Sequence, residues 1–238
     1  MPTSRGLAAY RSIPIVEQDN ELLSKELLAK DLRLLDMAMR LQLEAIACVD
    51  KQVLSPESSA VAILIARTFN HHLTALRLLL SGYYGESVVL LRSAFEAMTL
   101  AICLHQFPEK ADDWWQGRQI QPSEVRTALE QEETLSQVYT ALSKLSHPNV
   151  DVTATGTHTS LNKELMEIII GPHFNSRTLH ALFHIFLHHA MAAVMVVEMV
   201  HRNTLITKPG WYRRAARLER AIENEALPHD PEWSLVSW

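Results

Sequence analysis

Glycine is scarce in this chain, with seven in 238 residues, about 3% against a usual ~7%. No glycine-rich phosphate loop and no Gly-x-Ser-x-Gly elbow can be found, so dinucleotide and acyl-transfer chemistries are not expected. Cysteine is scarcer still. Cys48 and Cys103 are the only two, and neither has a partner at metal-ligand spacing, so no disulfide framework is expected and both thiols suit a reducing, cytoplasmic setting. An excess of positive charge is also missing: the net charge is −5, which argues against a basic nucleic-acid-binding surface and confines any RNA contact to a local patch. Residues 1–20 lack the apolar core of a signal peptide. The run 178–197 is long enough to span a bilayer and has no acidic residue, Lys or Arg, yet it carries His180, His184, His188 and His189. Bilayer interiors tolerate such groups poorly, so it reads as a buried helix and no membrane partner is expected.

What the chain does have is 47% hydrophobic residues and long stretches of Leu, Ala, Glu, Met, Lys and Arg without turn residues, a pattern that predicts helix. Residues 1–20 read as a flexible arm. Over residues 21–54, Leu22, Leu23, Leu27, Leu28, Leu32, Leu35, Met39, Leu43 and Ile46 recur at three- and four-residue steps, predicting one long amphipathic helix. Ser55 and Pro56 supply an N-cap and a first helical residue, opening a helix over 56–81. Gly82-Tyr83-Tyr84-Gly85 makes a turn into a helix over 86–106, glycine closing the first helix in the left-handed conformation. Pro108 restarts a short helix through Trp114-Trp115 that ends at Gly117, and Pro122 opens another that runs to His147, where Pro148 stops it. Residues 149–162 read as a loop and candidate lid, 161–170 as a short helix, 176–204 as the buried helix and 209–225 as a final amphipathic helix. The predicted fold is all-α: one helical-bundle domain over 21–204, with about six to eight helices around a central antiparallel hairpin, followed by a C-terminal helix and tail over 205–238. A homodimer is expected of it, as is common for helical bundles.

The hairpin carries polar groups that a core does not need. If the turn pivots at Tyr83-Tyr84, residue i lies opposite roughly residue 167 minus i. His71 then faces Glu96, with Arg92 one turn away on the same face as Glu96. A histidine, a carboxylate and a guanidinium would converge. The structural alternative is an Arg92–Glu96 ion pair whose disruption, if buried, would cost about 3–5 kcal/mol. His147 closes a helix beside a polar loop, where an imidazole can exchange protons near neutral pH. A histidine there also complements the helix dipole without any chemistry.

These residues carry a resemblance. Gly82-Tyr83-Tyr84-Gly85-Glu86-Ser87, Leu90-Leu91-Arg92-Ser93-Ala94-Phe95-Glu96 and Leu142-Ser143-Lys144-Leu145-Ser146-His147-Pro148 resemble a group of uncharacterised all-helical bacterial proteins. Those have an Arg-x-x-x-Glu helix and a later Leu-Ser-x-x-x-His-Pro segment. The group is similar to the HEPN superfamily, many of whose members are RNA-cleaving toxins or defence proteins. The resemblance implies an RNA-directed protein and, if an enzyme, a metal-independent endoribonuclease without cofactor. His147 would transfer the proton of a 2′-hydroxyl, Arg92 would clamp phosphate, and Glu96 and His71 would complete the site. The superfamily signature is an Arg separated from a His by four to six residues, and before His147 those positions hold Thr140, Ala141 and Leu142. The pairs Arg67–His72 and Arg177–His184 match formally, but roughly two such matches are expected by chance.

Two other readings compete. In one, the chain is a non-catalytic binding or scaffold protein in which Arg92 and Glu96 lock the hairpin. In the other, His180, His184 and His188, one stripe at four-residue steps, bind a metal with a ligand from a facing element. Only one Glu-x-x-His, Glu198 to His201, is present, where a di-iron bundle uses two. Arg213, Arg214, Arg217 and Arg220 form a basic patch on the last helix, diluted by Glu219, Glu223 and Glu225, which reads as a solvated face. Trp233 and Trp238 read as anchors for the C-terminus or a second subunit.

Overall fold

The computed structural model describes residues 4–49, 54–129, 132–146, 160–162, 165–167, 171–205 and 208–224. His147, Trp233 and Trp238 lie outside the described residues, as does most of the 149–162 loop. The described chain is all-α apart from one small strand pair. Its ten helices are α1 (Ser4–Leu27), α2 (Asp31–Val49), α3 (Pro56–Ser81), α4 (Tyr84–Gln106), α5 (Pro108–Trp115), α6 (Pro122–Ala128), α7 (Glu132–Ser146), α8 (Ser176–Val200), α9 (Arg202–Leu205) and α10 (Pro209–Asn224). Strands β1 (Ser160–Asn162) and β2 (Leu165–Glu167) pair antiparallel with Leu161 opposite Met166. A helix was expected there.

Local chemistry explains most boundaries. The Ser55 side chain accepts from the Ser58 N–H at 3.1 Å, and Pro56 begins α3. Gly82 ends α3 at φ 93°, with the Gly82 and Tyr83 N–H groups returning to the carbonyls of Leu79 and Leu78. The Asn175 side chain caps α8 by accepting from Thr178 N–H at 3.0 Å. Glycine is required at position 82, because a Cβ there would lie 2.3 Å from the His173 carbonyl oxygen.

Three expectations fail for tertiary reasons. The predicted helix over 21–54 is two helices, with a turn at residues 28–30 that no Gly or Pro announces. The turn still satisfies its backbone, Leu28 N–H donating to Ser24 and Leu32 N–H to Leu28, while the Leu28 side chain is fully buried. The predicted arm is helical from Ser4, running through Pro14. Its packing reverses the expected amphipathicity: Asn20 and Ser24 are buried, whereas Leu22, Leu23 and Leu27 are exposed. Asn20 Nδ2 donates to the Ser81 carbonyl at 3.1 Å and Ser24 Oγ to the Leu80 carbonyl at 3.0 Å. Thus α1 satisfies the last carbonyls of α3, which a helix end leaves without partners. Finally, the helix expected over residues 122–147 is broken into α6 and α7.

The antiparallel α3–α4 hairpin is the framework. Helix α8 packs on it and on α2, burying Leu179, Phe183, Phe186 and Leu187. Gln42 on α2 is buried there and donates to the Ala190 carbonyl of α8 at 3.0 Å. On the far side, α7 and α6 pack against α4. Trp211 anchors α10 to α2 through an Nε1–H bond of 2.9 Å to the Leu41 carbonyl. Both α4 and α8 are long and apolar enough to cross a membrane, although only the α8 run stood out in the sequence. More than half of each apolar window is buried within the protein.

Candidate functional site

The hairpin turn sets which polar groups can meet. Ser87 Oγ donates to the Ala75 carbonyl at 2.9 Å, and Thr68 Oγ1 reaches the Ala94 carbonyl at 3.5 Å. The pivot therefore lies at Ser81–Gly82, where the left-handed glycine turns the chain, rather than at Tyr83-Tyr84. This register places His71 level with Leu91, about five residues or 7 Å along the axis from Glu96. The predicted convergence of His71 with Glu96 does not form. Instead, burial and the nearby Arg67 charge lower the His71 pKa, with the Ser93 backbone acting in the opposite direction.

Arg92 and Glu96 do meet. Arg92 Nε donates to Glu96 Oε1 at 3.1 Å, an i, i+4 pair whose side chains are 25% and 34% exposed. The guanidinium is held at a second point, Nη2 donating to the Tyr139 hydroxyl of α7 at 2.5 Å. Its Cζ lies 4.8 Å from the Tyr139 ring centroid. Arg126 of α6 brings a second guanidinium over the same ring at 4.6 Å. Three helices thus deliver two cations, one carboxylate and one phenol to a single half-buried cluster. Arg126 is the unusual member: its Nε and Nη1 atoms are buried and have no hydrogen-bond partner among the described residues. The sequence singled out neither Tyr139 nor Arg126 as a site residue. The available signal was Tyr139 lying three residues, about one helical turn, before the buried Leu142 of the Leu-Ser-x-x-x-His-Pro segment. His147 follows Ser146, the last residue of α7, and falls outside the described residues.

A different polar pair lies in the core. His72 Nε2 and His189 Nδ1 are 2.7 Å apart, joining α3 to α8, and both rings are buried. Phe186 packs on His72, with ring centroids 5.5 Å apart, and Phe95 on His189 at 6.0 Å. Burial pushes the His189 pKa down to about 4. The His72 pKa is also well below the usual value, through burial first and then the neighbouring His189 and His71. Both imidazoles are therefore neutral near pH 7, one donating to the other. Among the described residues, His72 Nδ1 and His189 Nε2 have no hydrogen-bond partner.

The remaining candidates are dispersed. His180 Nδ1 lies 3.0 Å from the Ser176 carbonyl of its own helix. His188 is exposed, its pKa lowered by partial burial and by His184. Among the described residues, no three or more His, Cys, Asp or Glu side chains gather to hold a metal ion. Arg214 is engaged by Glu44, Nη1 to Oε1 at 3.0 Å, while Arg213 and Arg217 point to solvent. Cys103 is buried with its thiol pKa raised by that burial, which keeps it protonated and unreactive. At the far end of the hairpin, His105 Nδ1 lies 3.3 Å from Glu57 Oε1. A shallow depression of about 620 Å³ between Pro56, Ser59, Asp112 and Trp115 shares no residue with the Arg92 cluster.

No protein-family model matches the chain, and no curated protein or solved structure matches it.

Proposed function

We propose that this is an RNA-directed protein that grips the phosphate backbone with Arg92 and cleaves it with His147 as the proton-transfer group, in the defence or toxin role implied by the sequence resemblance. The observation that carries this reading is the anchoring of Arg92. Glu96 holds its Nε and Tyr139 its Nη2, while a quarter of the side chain stays open to solvent. A guanidinium fixed before its ligand arrives loses little freedom on binding, and it stabilises developing phosphate charge without reorganisation. In the reaction, His147 takes the proton of a ribose 2′-hydroxyl and the freed oxygen attacks the adjacent phosphorus. The bond from phosphorus to the 5′-oxygen breaks, and that oxygen takes a proton from solvent water, to which His147 returns the proton it removed. The products are a 2′,3′-cyclic phosphate and a 5′-hydroxyl, with no metal or cofactor taking part. Glu96 positions Arg92 rather than touching RNA, and His71, more than a helical turn from Glu96, has no step in this scheme.

Labelled total RNA and tRNA incubated with the purified chain provide the test, with chelator present and with Arg92→Ala and His147→Ala beside the wild type. Chelator-resistant cleavage that both variants lose while still folded is the expected result. Wild-type protein that neither cleaves nor binds RNA would overturn the proposal and leave the scaffold reading, in which Arg92, Glu96 and Tyr139 only tie α4 to α7.

A further inference from the structure

Arg126 poses a problem that Arg92 does not. The charge on Arg92 is matched by Glu96, and its Nε and Nη2 have acceptors in Glu96 and Tyr139. Arg126 sits over Tyr139 with buried Nε and Nη1 donors that have no acceptor among the described residues. A guanidinium keeps its positive charge in folded proteins, so the missing acceptors go uncompensated. The described acid nearest it on α6 is committed elsewhere: Glu124 binds Lys110 at 3.4 Å and Arg118 at 3.0 Å. Two guanidiniums against one carboxylate leave the described cluster with an excess of one positive charge. A buried, charged donor without an acceptor is costly unless an anion completes it.

We infer that Arg126 and Arg92 form a clamp for a single phosphodiester, with the Tyr139 ring as the platform on which both guanidiniums rest; this deepens the RNA reading and rests on it. The monoanionic charge of an internal phosphodiester equals the excess charge of the described residues of the cluster. The ligand contacts the clamp through its backbone alone, because the guanidiniums already lie within 4.6 and 4.8 Å of the ring centroid and occupy the surface on which a base would stack. Recognition at this point is therefore independent of base sequence.

The test is fluorescence anisotropy with labelled single-stranded 12-mers of oligo-U, oligo-A and mixed sequence, over a series of salt concentrations. The full chain, Arg126→Ala and Arg126→Lys are compared, with melting curves confirming that each folds. Arg126→Ala should weaken all three RNAs by a similar factor, roughly tenfold, and reduce the salt slope of log K by about 0.7, the value for one single-strand phosphate contact. Arg126→Lys should keep the slope while losing part of the affinity, since a lysine retains the charge without the planar fork. Unchanged affinity and slope in folded Arg126→Ala would overturn the clamp even if the wild type binds RNA. If the wild type binds no RNA, the RNA reading falls and inorganic phosphate decides the clamp. A melting temperature raised by phosphate over chloride at equal ionic strength in wild type but not in Arg126→Ala would uphold an anion site there, and no difference would overturn it.

Discussion

The His72–His189 pair and the Arg92–Tyr139–Arg126 cluster both hang on the α3–α4 hairpin, and both bring polar side chains together from different helices. They differ in how each meets solvent. The histidines are sealed between Phe95 and Phe186, their pKa values lowered, so they enter the core as neutral rings and carry no charge to a ligand. The arginines stay charged and half open. A neutral hydrogen-bonded pair with no access to solvent behaves as a polar strut between α3 and α8. A pair of fixed cations at the surface has binding capacity left over. The same hairpin thus keeps its structural polarity inside and its candidate chemistry outside.

Acid should separate the two regions most strongly. With folded-state pKa values below the unfolded value of 6.5, the sealed histidines leave stability unaffected above pH 6.5. As pH falls from there towards about 4, the unfolded chain takes up protons that the folded chain refuses. For His189 alone this removes about 3 kcal/mol by pH 4. Denaturant midpoints measured at pH 7.5, 5.5 and 4.5 should fall steadily across that window, and His72→Leu combined with His189→Leu should flatten the decline. A midpoint insensitive to pH in the wild type would mean that the pair is not sealed.

The hairpin turn comes next, because the register it fixes separates His71 from Glu96. Gly82→Ala should lower stability by about 2–3 kcal/mol in thermal melts, combining a left-handed φ of 93° with a Cβ driven against the His173 carbonyl. Gly85→Ala, with open space around its Cβ, should be neutral or slightly stabilising within a helix. Equal effects of the two would show that the turn does not hold the register.

Helical class and most boundaries were legible from the chain because caps and breakers act locally. Ser55, Gly82, Pro108 and Gly117 each end or begin a helix where their backbone chemistry predicts. The α1–α2 break at residues 28–30 was not legible, since the apolar period continues across it and only tertiary packing bends the chain. Nor was the face of α1, where the hydrogen bonds of Asn20 and Ser24 to the end of α3 outweigh the burial of Leu22 and Leu23. Of the site, the Arg92–Glu96 spacing could be read because i, i+4 neighbours on a helix are fixed by geometry. The opposition of His71 and Glu96 depended on a pivot two residues wide, and such an error moves every cross-helix pair by more than a turn. Arg126 and Tyr139 meet only because α6 and α7 fold onto α4, and no local pattern encodes that.

The measurement that bears most directly on the contrast between a structural core pair and a functional surface cluster is Arg92→Ala, assayed for folding stability and RNA affinity in the same preparation. A partly exposed i, i+4 ion pair contributes little, well under the 3–5 kcal/mol expected had the pair been buried. The account predicts a stability loss of about 1 kcal/mol or less with RNA affinity reduced roughly tenfold or more. A loss of several kcal/mol with RNA affinity unchanged in the folded fraction would contradict it, and Arg92 would then be a structural residue like His72.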